Sequence, residues 1–335
     1  MPVVDDQREL DIDLLIVGAG PVGLYGAYYA GFRDLSVAVI DGLPEVGGQI
    51  STMYPEKMIY DVAGFPGIRG RDLVANLQQQ ADLFKPSYIL GEEAVTLEHD
   101  GGSLRVLTSA GRSIRARAMI VAGGIGTFTP RTLPTGMEFL GRGLSHFVRE
   151  FDSLAGQDVV IVGGGDSAFD WALALQPVAR RITLVHRRKA FRAHPSTVRA
   201  VTEAGVEILT DCEVVAIRGD VERGPLAIDG VDVKHVPTQV VRSLDAQSVV
   251  AALGFTANLG PLLTWGFDLS GRHITVDSTM ATNLPRVFAA GDVNDYRGKV
   301  RLISVGFGEI ATAVNHAAAL IDPEQPIFPG HSTDN

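Results

Sequence analysis

The sequence predicts an α/β chain of two three-layer domains, the second inserted in the first. Three observations predict it. Two apolar runs each end in a glycine-rich turn that opens a helical stretch: Gly18-Ala19-Gly20-Pro21-Val22-Gly23, and Gly163-Gly164-Gly165-Asp166-Ser167-Ala168. The two turns lie about 145 residues apart and repeat one βαβ order. Glycine-turn signals of the first pattern resume near Gly254 and Gly291, so the second copy interrupts the first. Each copy is Rossmann-like, a dinucleotide-binding domain. Amides at a helix N-terminus meet a pyrophosphate only where no side chain stands between them.

The elements follow in order. Asp13–Val17 is apolar and enters the first turn, Pro21–Phe32 reads as its helix and Ser36–Ile40 as the next strand. Arg71–Leu83 has helical spacing. Short alternating runs span Ser87–Ile114 around His99-Asp100-Gly101-Gly102, a hairpin signal. Ala118–Ala122 is a buried strand ending at Gly123-Gly124. The pattern restarts at Asp158–Val162, with a helix over Asp166–Leu175 and a strand over Arg181–Val185. Val206–Leu209, Glu213–Ile217 and Ser248–Leu253 are further strands. Pro285–Ala290 is the last strand, and Leu302–Leu320 a long helix that begins near Gly306–Gly308. The expected domains are 1–124 with 251–335, and 125–250.

The strand ends distinguish the two turns. The first strand after Gly23 ends in Asp41, 18 residues on. An acid there accepts hydrogen bonds from a ribose diol. The strand after the second turn ends in His186-Arg187-Arg188, with Arg192 close behind. Guanidinium groups bind a 2′-phosphate bidentately, and the missing acid disfavours NADH. The first domain therefore reads as the FAD site, with Gly18, Gly20, Pro21, Gly23 and Asp41. The second reads as the NADPH site, with Gly163, Gly165, Asp166, Ser167, Arg187, Arg188 and Arg192.

Bulk composition narrows the class. At 46% hydrophobic and 20% charged, the chain carries enough apolar material for two cores. A net charge of −10 argues against nucleic acid as a partner. No apolar run has the length of a membrane span, and Met1–Asp13 lacks a signal-peptide pattern, so a cytoplasmic protein is expected. The single cysteine, Cys212, excludes an internal disulfide and a Cys-x-x-Cys centre. No metal site is expected.

Thr282-Asn283-Leu284-Pro285-Arg286-Val287-Phe288-Ala289-Ala290-Gly291-Asp292 resembles the two-dinucleotide-binding-domain flavoproteins. Gly47-Gly48-Gln49, Tyr54-Pro55-Glu56-Lys57, Asp61-Val62-Ala63-Gly64-Phe65-Pro66 and His331-Ser332-Thr333 narrow the resemblance. Together they resemble the ferredoxin–NADP⁺ reductases of thioredoxin-reductase-like type, over nearly the whole chain. The resemblance implies several roles. Asp292 meets the ribityl chain of FAD. Tyr54 stacks on one face of the isoalloxazine ring, and His331 covers the other from the partner subunit of a homodimer. Gln49 and Asp61 lie near the flavin's polar edge, and Val95 joins the FAD set. Ser332 and Thr333 are candidates for the position over N5. The N-terminus of the helix near Gly306 faces the flavin, where its dipole favours the reduced anion. Asp41 departs from the common Glu by one methylene.

In thioredoxin reductase proper a Cys-x-x-Cys dithiol precedes the second glycine turn. Here Ser145–Asp152 contains no cysteine, so no thiolate relay operates. The expected reaction is hydride transfer between NADPH and FAD, then one-electron steps between FAD and ferredoxin or flavodoxin. The flavin carries that chemistry, so no separate catalytic side chain is needed. Lys57, Arg69, Arg71, Arg297, Lys299 and Arg301 form a candidate basic face for an acidic partner. A quinone or small-disulfide reductase and a non-catalytic FAD/NADPH sensor are the alternatives.

Overall fold

The computed structural model describes residues 9–330. His331, Ser332 and Thr333 lie outside the described residues. The chain divides into two compact units: 1–52 with 58–127 and 257–335, and 53–57 with 128–256. Strands Thr127–Pro130 and Phe255–Asn258 lie where the chain passes between units.

The first unit is built on a seven-stranded sheet. Ser87–Leu90, Val37–Asp41, Glu9–Val17 and Ser113–Val121 run parallel in that order. Ser113–Val121 then has two partners on its far side. Its first half pairs antiparallel with Ser103–Thr108, which continues into Ala94–Asp100. Its last three residues pair parallel with Val287–Ala289. The sequence Ser-Ile-Arg-Ala-Arg-Ala-Met-Ile-Val accounts for the switch. It alternates buried and exposed through Arg117, then stays buried from Ala118 to Val121. Antiparallel pairing tolerates one wet face, whereas the parallel region is covered on both. Helices Pro21–Phe32, Gly70–Asp82 and Ile303–Ile321 form the layer on one of these faces, the first packing against both others.

The C-terminal segment is fastened to this unit by a buried arginine. Arg33, 4% exposed, donates to Asn315 Oδ1 (2.6 Å), Gln325 Oε1 (3.1 Å) and the carbonyls of Pro326 (2.8 Å) and Ile327 (3.0 Å).

The second unit has three layers. Leu144–Ser145, Ser248–Ala251, Asp158–Val162, Arg181–Val185 and Glu207–Leu209 form an all-parallel sheet. Val159 and Ile161 point to helix Asp166–Leu175, into a cluster with Phe169, Ala172 and Leu175. Val160 and Val162 point the other way, against the antiparallel strands Cys212–Gly219, Ile228–His235 and Val241–Asp245. This period-2 division puts a core on each face of the sheet. Residues 53–57 belong here. Tyr54 packs half-buried against the helix-side cluster, and Lys57 Nζ pairs with Asp170 Oδ2 at 2.6 Å.

Among the described residues, no helix is long and apolar enough to cross a membrane. Cys212 is buried in the second core, and burial pushes its thiol up.

Candidate nucleotide sites

Both sites form at the C-terminal edge of a parallel sheet, where strand ends leave room between diverging loops. In the first unit, Val17, Asp41, Val121 and Ala289 end their strands together at this edge. Gly18 turns the chain with φ +117°, and a Cβ there would lie 2.4 Å from the Ala122 carbonyl oxygen. A Cβ on Gly23 would lie 1.8 Å from the Gly18 oxygen. These two glycines are required by the fold itself. Gly20 is different: beyond its own chain neighbours, no protein atom lies within 4 Å of where its Cβ would be. Its bare face looks onto open space at the start of helix Pro21–Phe32. Pro21 opens that helix, which has no side-chain cap and no acid in its first turn. Uncapped N–H groups beside an open glycine suit an anion such as a pyrophosphate.

Asp41 organises this turn. Its Oδ2 accepts from the Ala19 N–H at 2.7 Å, and its Oδ1 from the Leu43 N–H at 2.9 Å. Burial raises the Asp41 carboxyl's pKa, with the two backbone bonds opposing it. Each oxygen keeps a lone pair for a ribose hydroxyl. Gly47 donates its N–H to the Ala19 carbonyl at 2.8 Å, which ties Gly47-Gly48-Gln49 to the first glycine turn. Gln49 starts a short helix, its amide nitrogen 3.2 Å from where a Gly124 Cβ would be.

Gly291, φ +83°, turns the chain after Val287–Ala289 and carries Asp292. The Asp292 carboxylate has no partner among the described residues, unlike that of Asp41. Beneath it, the Gly291 N–H donates to Glu309 Oε2 (2.7 Å) and its carbonyl accepts from Lys299 Nζ (2.9 Å). Helix Ile303–Ile321 starts beside this turn. A Cβ on Gly306 would lie 2.5 Å from Val22 Cγ2 and 3.5 Å from Gly291 Cα. Ser304 Oγ donates to the Asp61 carbonyl (3.1 Å) and accepts from the Ala63 N–H (3.2 Å). Tyr60 to Pro66 and Ser304 line an open hollow there. Val95 stands apart, on an outer strand, its carbonyl accepting from Trp265 Nε1 at 2.9 Å.

The second unit repeats the arrangement with other chemistry. A Cβ on Gly163 would lie 2.4 Å from the Ala252 carbonyl oxygen, while Gly165 is as open as Gly20. Asp166 and Ser167, both exposed, begin the helix. The loop after Arg181–Val185 is fastened to the glycine turn at three points. The His186 ring lies where a Gly164 Cβ would stand, 2.2 Å from Cε1. The Arg192 N–H donates to the Gly164 carbonyl at 2.8 Å, and the His194 N–H to Asp166 Oδ1 at 2.8 Å. Arg187, Arg188 and Arg192 project from this loop, all exposed. Burial lowers the pKa of His186, the three arginines lower it further, and its bond to the Ala190 carbonyl opposes both. The His186 ring thus sits under Gly164 with its charged form disfavoured, in the same loop as the three exposed arginines.

One expected surface group is corrected. Lys299 does not belong to a basic face: its side chain is 2% exposed and paired with Glu309. Lys57 and Arg301 are surface groups, but each is paired with an aspartate, Asp170 and Asp295 respectively. The Glu309 network escaped the sequence reading. Its signal was one acid on the buried stripe Gly306, Ile310, Ala313 and Ala317. A buried acid requires partners.

The pyridine nucleotide-disulphide oxidoreductase family matches residues 12–317. The chain belongs to this family. It is 58% identical to a protein of Frankia alni named ferredoxin–NADP reductase, over 96% of this chain and 98% of that one. A Thermus thermophilus protein of the same name is 48% identical over 96% of each chain. Among solved structures, T. acidophilum thioredoxin reductase has the same fold, with a TM-score of 0.74 at 24% identity, over 94% of this chain and 99% of that one.

Proposed function

We propose that this chain is a ferredoxin–NADP⁺ reductase that passes electrons between NADPH and an iron–sulfur protein through bound FAD. The observation that carries this reading is the pair of open glycine turns with opposite strand-end chemistry, an acid in one and arginines in the other. Relatives of nearly equal length bear the same name, which supports it.

FAD suits the first unit. Gly18, Gly20, Pro21 and Gly23 would hold its pyrophosphate, Asp41 a ribose diol and Asp292 the ribityl hydroxyls. Gln49 and Asp61 would take the polar edge of the ring, and Tyr54 with His331 its two faces. Ser332 and Thr333 would complete the cover in a homodimer. NADPH suits the second unit. Gly163, Gly165, Asp166 and Ser167 would meet its pyrophosphate, and Arg187, Arg188 and Arg192 its 2′-phosphate. Bound flavin supplies the conversion between two-electron and one-electron transfer. The protein's part is orientation, charge placement and exclusion of water. With Cys212 alone, buried and of raised pKa, no dithiol stands between flavin and acceptor.

The test is NADPH-driven cytochrome c reduction with and without added ferredoxin, with NADH as control donor. Strong ferredoxin dependence and preference for NADPH are expected. Flavin reduction without ferredoxin stimulation would overturn the acceptor assignment and favour quinones, small disulfides or flavodoxin. A colourless protein that NADPH does not reduce would overturn the enzyme reading in favour of a sensor.

A further inference from the structure

We propose that Lys299 and Glu309 are positioning residues for the flavin, a buried pair of opposite charges that holds the two peptides on either side of the Gly291 Cα and so aims Asp292. The inference rests on the reading of the first unit as a flavin site.

Glu309 comes from the second turn of helix Ile303–Ile321 and Lys299 from the loop before it. Their side chains are 4% and 2% exposed. Every contact of Glu309 is internal. Oε2 accepts from the Gly291 N–H and from Asn294 Nδ2 at 3.2 Å. Oε1 accepts from the Tyr296 hydroxyl at 2.7 Å and from Lys299 Nζ. Lys299 completes the loop by donating to the Gly291 carbonyl. With two donors on each oxygen, Glu309 is saturated and has nothing left for a ligand.

Such a pair is an expensive way to fill a core. Desolvating both charges offsets most of their attraction, and apolar residues of similar size often serve stability as well. The pair does something apolar residues cannot. It bonds the N–H and the C=O of one glycine, fixing both peptide planes that set φ at Gly291. That glycine sits in the left-handed region, at +83°, and has no side chain of its own to hold it there. The next residue, Asp292, is half-exposed with its carboxylate free among the described residues. A free acid on a clamped turn is preorganised for hydroxyl donors.

The decisive variant is Lys299→Met/Glu309→Leu, which removes both charges and strands neither. Apoprotein is titrated with FAD, following the quenching of flavin fluorescence, and separately with NADP⁺. We expect FAD to bind about tenfold more weakly and NADP⁺ within about twofold of the parent. In an Asp292→Asn background, the same double change should weaken FAD by less than about threefold, because the pair acts through Asp292. Tyr296→Phe, which deletes one bond to Glu309 and leaves the ion pair, should give about a threefold loss that likewise vanishes with Asp292→Asn. This milder variant decides the matter if the double one does not fold. Unchanged FAD affinity, or an equal loss with and without Asp292, would overturn the proposal. A parent chain that binds NADP⁺ but not FAD would instead overturn the flavin reading itself.

Discussion

A Cβ on Gly18 would stand 2.4 Å from the carbonyl oxygen of Ala122, and one on Gly163 would stand 2.4 Å from that of Ala252. Gly20 and Gly165 each face open space. The two turns share this pattern of contacts, although Gly18 has a φ of +117° and Gly163 does not lie in the left-handed region, and they diverge further on. The first turn has Gly23 pressed on the Gly18 oxygen, where the second has a fully buried Ala168. The first is braced by a carboxylate, Asp41, whose bond to the Ala19 N–H passes through the turn. The second is braced by a ring, His186, seated under Gly164, and by backbone bonds from Arg192 and His194. The shared part answers to the phosphate, which is common to all dinucleotides. Under the proposed assignments, Asp41 would both brace its turn and meet the ribose, and Arg192 would both brace the second turn and meet the 2′-phosphate.

That comparison breaks most sharply at the third position. Gly23→Ala should cost the first unit about 3 kcal/mol in urea unfolding, because the new methyl has only backbone to push against. The mirror change, Ala168→Gly, should cost the second about 1 kcal/mol, the ordinary penalty of glycine in a helix. Equal costs would mean the two turns are packed alike. Next come the arginines. Arg187→Ala/Arg188→Ala should raise the KM for NADPH on the order of 100-fold while changing that for NADH little, as expected for two charge-assisted contacts. Steady-state kinetics with both donors would check it, and parallel losses would place the arginines outside the 2′-phosphate site. The smallest effect concerns His186. Its folded pKa is depressed, so an unfolded chain takes up a proton that the folded one refuses. Stability is therefore whole above the ordinary imidazole pKa and falls as pH drops through it toward the folded value. His186→Asn should flatten the fall of the urea midpoint between pH 7.5 and 5.5. An unaltered slope would assign the effect to other groups.

The parts of this molecule legible in the sequence are those with local signatures. Apolar runs of four or five residues ending in glycine mark strand ends, since few other sequences place φ freedom and bare backbone together. Ser113–Val121 is legible as a strand but not as a branched one, because its second partner arrives from Val287, far along the chain. The membership of 53–57 in the second unit is hidden for the same reason: Tyr54 and Lys57 look like any residues following Gly47-Gly48-Gln49. The charge of Lys299 suggests surface, and only Glu309, ten residues on, reveals its burial. The strand-end position of Asp41 points to a ribose, but nothing local to it shows that its carboxylate also braces the turn through the Ala19 and Leu43 N–H groups. A motif names the residue types a site needs, and the long-range bonds that hold them are written elsewhere.

The end of the chain offers a last instance of that. Pro323 to Pro329 reads as a trailing polar, proline-bearing segment, yet Arg33 spends three of its four bonds there, on Gln325, Pro326 and Ile327. The segment itself is mostly exposed, and the buried guanidinium tethers it to the unit. Trimming the chain after Glu324 would leave a cation in a hole with one acceptor, Asn315, so the boundary of an expression clone or the site of a cleavable tag is a decision about the core as much as about the terminus.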